Sequence, residues 1–379
     1  LGTEFGLWIS IDGGANWAAF TGGKFPAVAV RDLAIQPRDH DLVIATHGRG
    51  LWIIDDITPL RHLDATALAA ELALLPNRPQ QQRLQSYGGW SRGDAAYVGA
   101  NAPDGAVITY HQKARHLFGK LKLEIIDADG KVIDTLPASK RRGINRVEWA
   151  MAVKPPRTPQ GATLAGAATY GPRVLPGRYT VRLTKNGKVY ETPLEIGMDP
   201  RATYSLDDRK AQFAAAMRVH GLFERMADLS DRIVGLREQA KAHAAPMQPG
   251  AAAKAKLLAL VEQLEAVRRQ IVATKEGGAI TGEERLREHM DAIYGAIVGW
   301  EGRPGSYHLA RIDALERELA EVEASFAQLV ERDAKALGLD PAVRAVASGR
   351  GSPRAALHAL RYYWQTPDLT STMREKKRR

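Results

Sequence analysis

The chain contains no cysteine among its 379 residues, which excludes disulfide bonds and thiolate metal sites. No stretch approaches the roughly 18 uninterrupted apolar residues of a membrane-spanning helix. Several catalytic signatures are missing as well: the G-x-S-x-G elbow, the H-E-x-x-H zinc motif and the glycine-rich loops that bind phosphate or dinucleotides. The sequence therefore indicates no catalytic residue, no metal site and no cofactor.

Excess positive charge is concentrated at the C-terminal end. The formal net charge is +10, and from residue 350 onward eight basic residues stand against two acidic ones, so six of the ten charges belong to this segment. With Tyr362, Tyr363 and Trp364, the segment could stack on nucleic acid or lie on an anionic membrane. We favour the simpler interpretation that residues 341–379 form a solvated, flexible tail.

The most specific pattern lies near the start of the chain. Residues 10–17 fit S-x-D-x-G-x-x-W, the Asp-box hairpin of β-propeller blades, through Ser10, Asp12, Gly14 and Trp17. Ser10 and Asp12 are suited to bond the turn's own amides while glycines take positive φ. The pattern predicts a structural role for Asp12 and a mostly buried Trp17.

A sequence repeat supports a propeller. Residues 6–9 (GLWI) recur as residues 50–53, an offset of 44. Propeller blades repeat every 40–50 residues, roughly. Between the two copies, residues 30–37 and 42–46 have the composition of short strands separated by a polar turn. These segments are predicted to be successive strands of one four-stranded blade.

The chain resembles exported bacterial proteins that carry a sortilin-like propeller of BNR repeats and are often labelled glycosyl hydrolases from the repeat alone. The matching stretches are residues 41–60 (DLVIATHGRGLWIIDDITPL), 102–108 (APDGAVI) and 176–183 (PGRYTVRL). The resemblance implies that the chain is the C-terminal portion of such a protein, with earlier blades upstream of Leu1. It also implies a periplasmic or secreted location, reached through a signal peptide.

Residues 1–58 are accordingly interpreted as the last blades of the propeller. Residues 59–100 are interpreted as a connecting strap, because prolines and a run of glutamines interrupt short apolar pieces. A short helix at residues 65–74 is the most structure expected there.

Residues 101–199 are predicted to form an Ig-like β-sandwich, because apolar and polar residues alternate along several short segments. Asn186 and Gly187 supply the two positive φ values of a type I′ turn, and a strand over residues 145–149 would bury Trp149. The turn at residues 127–130 begins like a calcium loop, but its glycine comes fourth instead of sixth. We therefore interpret it as a hairpin turn.

Residues 200–340 change to heptad periodicity, which predicts helices. Ser205 and Thr281 each begin a capping-box pattern, and glycine- or proline-containing breaks separate four helical stretches. The simplest packing is an antiparallel bundle. The positions predicted to form its core include Leu222, Met226, Leu229, Ile233, Leu236, Ala240, Ile312, Leu315, Leu319, Val322, Phe326 and Leu329.

One polar cluster is the candidate binding site. It consists of His47, Arg49, Asp55 and Asp56, with glycines that bring the backbone close. These side chains could contact a glycan or a polypeptide at the propeller face. Alternatively, Arg49 bonds Asp55 and closes the ring between the last and first blades, and we favour this structural role.

The predicted fold class is therefore multidomain, mainly β and then α: terminal propeller blades, an Ig-like sandwich and an antiparallel helical bundle. The predicted function is non-catalytic binding or scaffolding. One alternative is a glycosyl hydrolase acting on polysaccharide, whose carboxylates would face a cleft formed mostly by the earlier blades. A second is binding of nucleic acid or an anionic membrane through the tail. Oligomeric state is not indicated.

Overall fold

The computed structural model describes residues 1–22, 25–84, 102–275 and 282–344. Strands dominate up to Met198 and helices follow from Leu206, which confirms the predicted order of β and then α. The chain divides into two compact units. The first comprises Leu1–Ala152 and Leu175–Ala202, and the second comprises Val153–Val174 and the chain from Thr203 onward.

The first unit begins with two small antiparallel sheets in place of the single four-stranded blade that was predicted. One sheet contains β1 (Gly2–Thr3), β2 (Gly6–Ile9) and β3 (Ala18–Ala19). The other contains β4 (Val30–Gln36), β5 (Asp41–Thr46) and β6 (Leu51–Ile54). The repeated GLWI segments are β2 and the start of β6, so the repeat marks equivalent strands of two sheets.

A small apolar core joins these two sheets. Ile44 is fully buried at its centre, with Leu7 and Phe25 packed beside it. Leu33, Ile44 and Trp52 are cross-strand neighbours, so β4, β5 and β6 present one continuous face to this core. Successive side chains along a strand point to opposite faces of the sheet, so one face of a half-buried sheet packs on the core and the other does not.

The predicted strap contains more structure than expected. Helices α1 (Thr58–Arg61) and α2 (Ala65–Ala69) are followed by strands β7 (Leu72–Leu74) and β8 (Gln80–Gln82). Asp64 caps α2 by accepting from the Ala67 amide. The helix ends at Ala69, before residue 74, because the following residues pair with a neighbouring strand and not with the preceding turn. Residues 85–100 lie outside the described part of the chain.

Two further sheets follow, and they contain the strands that the alternating pattern predicted together with a strand over Ala106–Gln112 that it did not predict. The strands are β9 (Ala106–Gln112), β10 (Leu121–Ile126), β11 (Val132–Leu136), β12 (Gly143–Trp149), β13 (Gly177–Lys185) and β14 (Lys188–Met198). Their orders are β12-β9-β7 and β11-β10-β13-β14-β8. Asn186 and Gly187 have φ of 50° and 86°, as the type I′ turn requires, and Trp149 is fully buried against Tyr179.

The range predicted for the sandwich is interrupted, because Val153–Val174 belongs to the helical unit. Four prolines remove backbone donors from this segment, and helical side chains hold its backbone. Arg287, which is almost fully buried, donates to the carbonyl oxygens of Pro159 and Thr163. Tyr294 donates to the Tyr170 carbonyl, and alternation between apolar and polar residues gives no signal for contacts of this kind.

Four long helices form most of the second unit within its described residues. They are α3 (Leu206–Ala244), α4 (Ala252–Ile271), α5 (Leu286–Val298) and α6 (Ser306–Leu329). The predicted heptad positions form their shared core, except that Leu329 is only partly buried. A π-helical turn at Val330–Ala334 shifts the register there, so that Val330 is buried in its place.

One of the two predicted capping boxes is present. Ser205 Oγ accepts from the Asp208 amide at the start of α3, and Asp208 accepts from the Ser205 amide. The other prediction was wrong about where α5 begins, because this helix starts at Leu286 with Arg285 as its N-cap residue. Glu283 instead accepts from the amides of Thr274 and Lys275. Thr281 lies outside the described residues.

The helix directions differ from a simple antiparallel bundle. Arg218 pairs with Asp313 and Glu316, and seven residues later Arg225 pairs with Glu316 and Glu323. Both partners advance together, so α3 and α6 run parallel. Helices α4 and α5 have few mutual contacts but many with α3, because they lie along different parts of its length. The length of α3 makes this arrangement possible.

Candidate functional site

The Asp box has the predicted internal bonding. Asp12 Oδ1 accepts from the Asn16 amide at 2.9 Å and from Ser10 Oγ at 2.8 Å, and Asp12 Oδ2 accepts from Asn16 Nδ2 at 2.7 Å. Gly13 and Gly14 have positive φ. Hydrogen bonds from the Asn16 amide, first, and then from the Asn16 and Ser10 side chains lower the pKa of Asp12 to about 2. Asp12 is thus fully engaged by its own turn.

The predicted burial of Trp17 was wrong, since 46% of this residue is exposed. The indole packs on its own turn, with Nε1 donating to the Gly14 carbonyl at 3.0 Å. Strand β3 comprises only Ala18–Ala19, so the chain beyond the turn supplies little sheet surface to cover the ring.

The structure separates the four residues of the candidate site into two places. His47 and Arg49 lie in the exposed turn between β5 and β6, whereas Asp55 and Asp56 follow the far end of β6. The four residues of β6 separate these places by about 13 Å. No ion pair joins Arg49 to Asp55, so the proposed ring-closing bond between these two described residues was wrong. The sequence placed them together only because they are near in number.

Asp55 and Asp56 belong to a different group of charges, which we call the charged cluster. Its members come from the β4–β5 turn, the start of β5, the residues after β6, the strap and strand β12: Asp39, Asp41, Asp55, Asp56, Arg78 and Arg146. Arg78 Nη1 lies 3.3 Å from Asp39 Oδ1, and Arg78 Nε lies 3.4 Å from Asp56 Oδ2. Sequence analysis missed Arg78, because it is 39 positions from Asp39 and no local pattern links the two.

Backbone groups complete the charged cluster. Asp41 Oδ1 accepts from the Asp56 amide at 2.9 Å, and Asp56 Oδ1 accepts from the Thr58 amide at 3.1 Å. Asp56 has a left-handed backbone with φ of 48°, which turns the chain after β6. These bonds hold the turn before β5 against the turn after β6.

The two ends of the charged cluster differ electrostatically. The hydrogen bond from Arg38 lowers the pKa of Asp39 below its ordinary value. Burial, and then the nearby negative charge of Asp41, raises the pKa of Asp55, although Arg146 acts in the opposite direction. A carboxyl with a raised pKa invites comparison with a general acid. A general acid needs a substrate beside it, so the size of the adjacent cavity determines whether Asp55 can have this role.

The cavity beside the charged cluster has a volume of about 50 Å³. Pockets that bind organic ligands usually measure about 300–1,000 Å³. Two of the carboxylates, Asp39 and Asp56, already contact Arg78, and glycoside hydrolysis needs two carboxylates across an open cleft. The cluster is therefore arranged to connect chain segments. Among the described residues, no three His, Cys, Asp or Glu side chains are grouped closely enough to hold a metal ion.

A larger cavity lies on the helical unit, where α5 ends and α6 begins. We call it the aromatic cleft; its volume is about 280 Å³, and it is lined by Trp300, Arg303, Pro304, Tyr307 and His308. Trp300 and Tyr307 are 61% and 70% exposed. Sequence analysis missed this site, although Trp300 in a glycine- and proline-containing helix connection and Tyr307 directly after it are an available signal.

No helix in the described part of the chain is both long and apolar enough to cross a membrane. Comparisons with protein-family models, with curated proteins and with solved structures gave no match. The function of the chain must therefore be inferred from the residues of its own sites.

Proposed function

We propose that this chain is the non-catalytic C-terminal portion of an exported sortilin-like propeller protein and acts in binding or scaffolding. In this proposal residues 1–58 belong to the last blades, and β7–β14 and α3–α6 are the Ig-like and helical domains that follow. The Asp box and the repeated GLWI strands support the blade assignment. The location would be periplasmic or secreted.

The uncovered face of sheet β4–β6 carries this proposal. Ala34, Val43 and Ile53 follow one another across the sheet on the face opposite the core, and Leu51 lies on the same face. Leu51 is 72% exposed and Ile53 is 59% exposed. Aliphatic residues in neighbouring positions on a sheet face are typical of a surface that packs against another sheet.

The free edge of β6 supports the same interpretation. Its equivalent in the first sheet, β2, pairs on one side with β1 and on the other with β3. Within the described residues, β6 pairs only with β5. A fourth strand paired with β6 would complete a four-stranded blade. A neighbouring blade would then pack on the aliphatic face, as blades do in a propeller. The occupant we propose is accordingly another β-sheet of the same propeller.

The glycosyl hydrolase alternative draws no support from the charged cluster. Asp39 and Asp56 contact the same arginine, Asp41 accepts from a backbone amide, and the adjacent cavity is too small for a sugar ring. A contact with a glycan or a polypeptide at the propeller face stays part of the proposal, through the exposed turn that carries His47 and Arg49. The predicted flexible tail begins later than residue 341, because Val343 packs against the helical core and Arg344 pairs with Asp228. Binding of nucleic acid or membrane by the tail concerns residues 345–379, which lie outside the described part of the chain.

Sedimentation velocity over a wide concentration range tests the sheet face. An uncovered aliphatic face exposes the chain to self-association, so the unmodified protein is expected to sediment as a concentration-dependent mixture. The double variant Leu51→Lys, Ile53→Lys should be monomeric at every concentration and retain its far-UV circular dichroism. The two lysines should change the free energy of unfolding of the isolated chain little, because both side chains already face solvent.

The matched control is Val132→Lys, Val189→Lys, which charges two exposed aliphatic residues on the later sheets of the same unit. It should associate like the unmodified protein. A monomeric unmodified protein, or equal loss of association in both double variants, would contradict the assignment of this face as a packing surface.

A further inference from the structure

The aromatic cleft on the helical unit has a composition that points to one class of ligand. Two exposed aromatic rings, Trp300 and Tyr307, line it together with Pro304. The polar side chains that reach it are mainly hydrogen-bond donors. This site is separate from the proposed propeller contact and does not depend on it.

The glycines of the connection allow the rings to lie where they do. A Cβ at Gly302 would lie 2.4 Å from Trp300 Nε1, and a Cβ at Gly305 would lie 3.1 Å from a Tyr307 ring carbon. Neither glycine has a positive φ, so these positions favour glycine because the rings approach the backbone closely and not because of the backbone conformation. Trp300 also makes an edge contact with Tyr204, with ring centroids 6.1 Å apart, which supports its inner side.

The donors follow from the hydrogen bonds already made. His308 Nδ1 accepts from the Gly305 amide at 3.2 Å, so in the neutral ring the proton resides on Nε2. Arg303 donates through Nε to Asp208 at 2.7 Å and is a donor only. Trp300 Nε1 has no acceptor within the described part of the chain. Among the polar side chains that line the cleft in the described part of the chain, the Tyr307 hydroxyl is the one that can also accept.

A ligand that complements this set has apolar rings and carbonyl oxygens but few donors of its own. A proline-rich peptide meets this description, because proline has no backbone N–H and its polyproline II conformation exposes carbonyl groups to the solvent. Aromatic grooves that recognise such peptides exploit this preformed conformation. A sugar is the poorer match, because its hydroxyl groups need acceptors as well as donors.

We propose that the aromatic cleft binds a proline-rich polypeptide segment in the polyproline II conformation. A proline ring of the segment packs between Trp300 and Tyr307. Trp300 Nε1 donates to a carbonyl oxygen of the segment.

The test is a titration of the full chain with acetyl-hexaproline amide, followed through the indole N–H signals of its seven tryptophans by NMR. The Trp300→Phe variant identifies the Trp300 signal by its loss. We expect that signal to shift on addition of the peptide, as an indole that gains an acceptor does. Maltohexaose and a hexapeptide of alternating glycine and serine serve as the comparison ligands.

Variants assign the binding to the cleft, with affinity measured by calorimetry. Trp300→Phe keeps the ring and removes the donor, so binding should weaken about five-fold, as for one lost hydrogen bond. Trp300→Ala removes both and should weaken binding at least about ten-fold. Trp17→Phe alters another exposed tryptophan whose Nε1 is already bonded within its own turn, and it should leave the affinity unchanged.

Circular dichroism of each variant checks that the helices are intact. Three results would overturn the proposal: no hexaproline binding by the unmodified chain at millimolar peptide, binding that Trp300→Ala leaves intact, or a shift of the Trp300 signal by maltohexaose but not by hexaproline.

Discussion

Arg78 Nη1 and Asp39 Oδ1 lie 3.3 Å apart and join the strap to the turn between β4 and β5. Both side chains are about four-fifths buried, and the same arginine also reaches Asp56. Arg78 therefore links two carboxylates on either side of the β5–β6 hairpin, and Asp39 is also paired with its neighbour Arg38. Asp56, which looked like a binding residue in the sequence, therefore lies within a structural contact, and Asp55 takes part through its backbone carbonyl, which accepts from Arg146.

Replacement of Arg78 by methionine should destabilise the first unit. The variant keeps much of the side-chain volume but leaves Asp39 and Asp56 with less compensation, so the free energy of unfolding should fall by about 1–3 kcal/mol. Urea denaturation provides the measurement. The control is Arg31→Met, whose pair with Glu4 is mostly exposed and should contribute almost nothing. Equal effects of the two variants would contradict the structural role of the cluster.

The Asp box should be sensitive only to strong acid. The pKa of Asp12 is about 2 in the folded turn against an ordinary value of 3.8. The stabilisation from its ionised form is therefore fully present above about pH 4 and is lost as the pH falls through about 2. NMR titration of the Asp12 carboxyl gives this pKa directly.

Asn16→Ala should raise that pKa toward the ordinary value, because it removes the Asn16 side-chain donor. The larger contribution, from the Asn16 amide, stays, so the shift should be incomplete. The control is Thr3→Ala, which changes the hydrogen bonds of the neighbouring β1–β2 turn and should leave the Asp12 pKa unchanged. An unperturbed Asp12 pKa in the unmodified chain would contradict the described bonding.

Gly171 tests the folding of Val153–Val174 in the helical unit. A Cβ at this position would lie 1.7 Å from the Val153 carbonyl oxygen, so Gly171→Ala forces the backbone apart. We expect a loss of at least about 2 kcal/mol in thermal or urea unfolding. Gly166→Ala is the matched control, because no atom lies within 4 Å of the added Cβ. A neutral Gly171→Ala would show that this segment is not held as described.

Arg287 should be the most costly charge to remove from the same unit. It is 2% exposed and donates to the backbone of Pro159 and Thr163 as well as to Glu288. Arg287→Met should lower the free energy of unfolding by about 3 kcal/mol, since it leaves these acceptors without a partner. Arg332→Met, which removes an exposed arginine paired with its neighbour Asp333, should change it by less than about 0.5 kcal/mol. A similar loss in both variants would contradict the assignment.

The sequence predicted those features that local chemistry determines. The Ser205 cap, the turn at Asn186 and Gly187, and the burial of Trp149 each depend on a few neighbouring residues or on a regular period. The helical core followed from heptads for the same reason, apart from the end of α6, where a π-helical turn changed the register.

Features that depend on distant residues could not be predicted in this way. Arg287 donates to the carbonyl oxygen of Pro159, which is 128 positions away in the sequence. The parallel direction of α6 relative to α3 is seen in ion pairs between the two helices. The prediction of the candidate site was wrong for this reason. His47 and Arg49 are near Asp55 in sequence, but the cation that lies near Asp55 in the structure is Arg146, which comes from β12. Residues that precede and follow β6 are near in sequence but lie at opposite ends of the strand.

We propose that Asp39, Asp41 and Asp56 of the charged cluster connect chain segments and that the cluster is not a catalytic site. The most direct test of this central claim is a turnover measurement on a panel of aryl glycosides and polysaccharides, with the unmodified chain and the double variant Asp55→Asn, Asp56→Asn. We predict no hydrolysis above background by either protein. Hydrolysis by the unmodified chain that is lost in the double variant would contradict the claim and would place catalysis at Asp55 and Asp56.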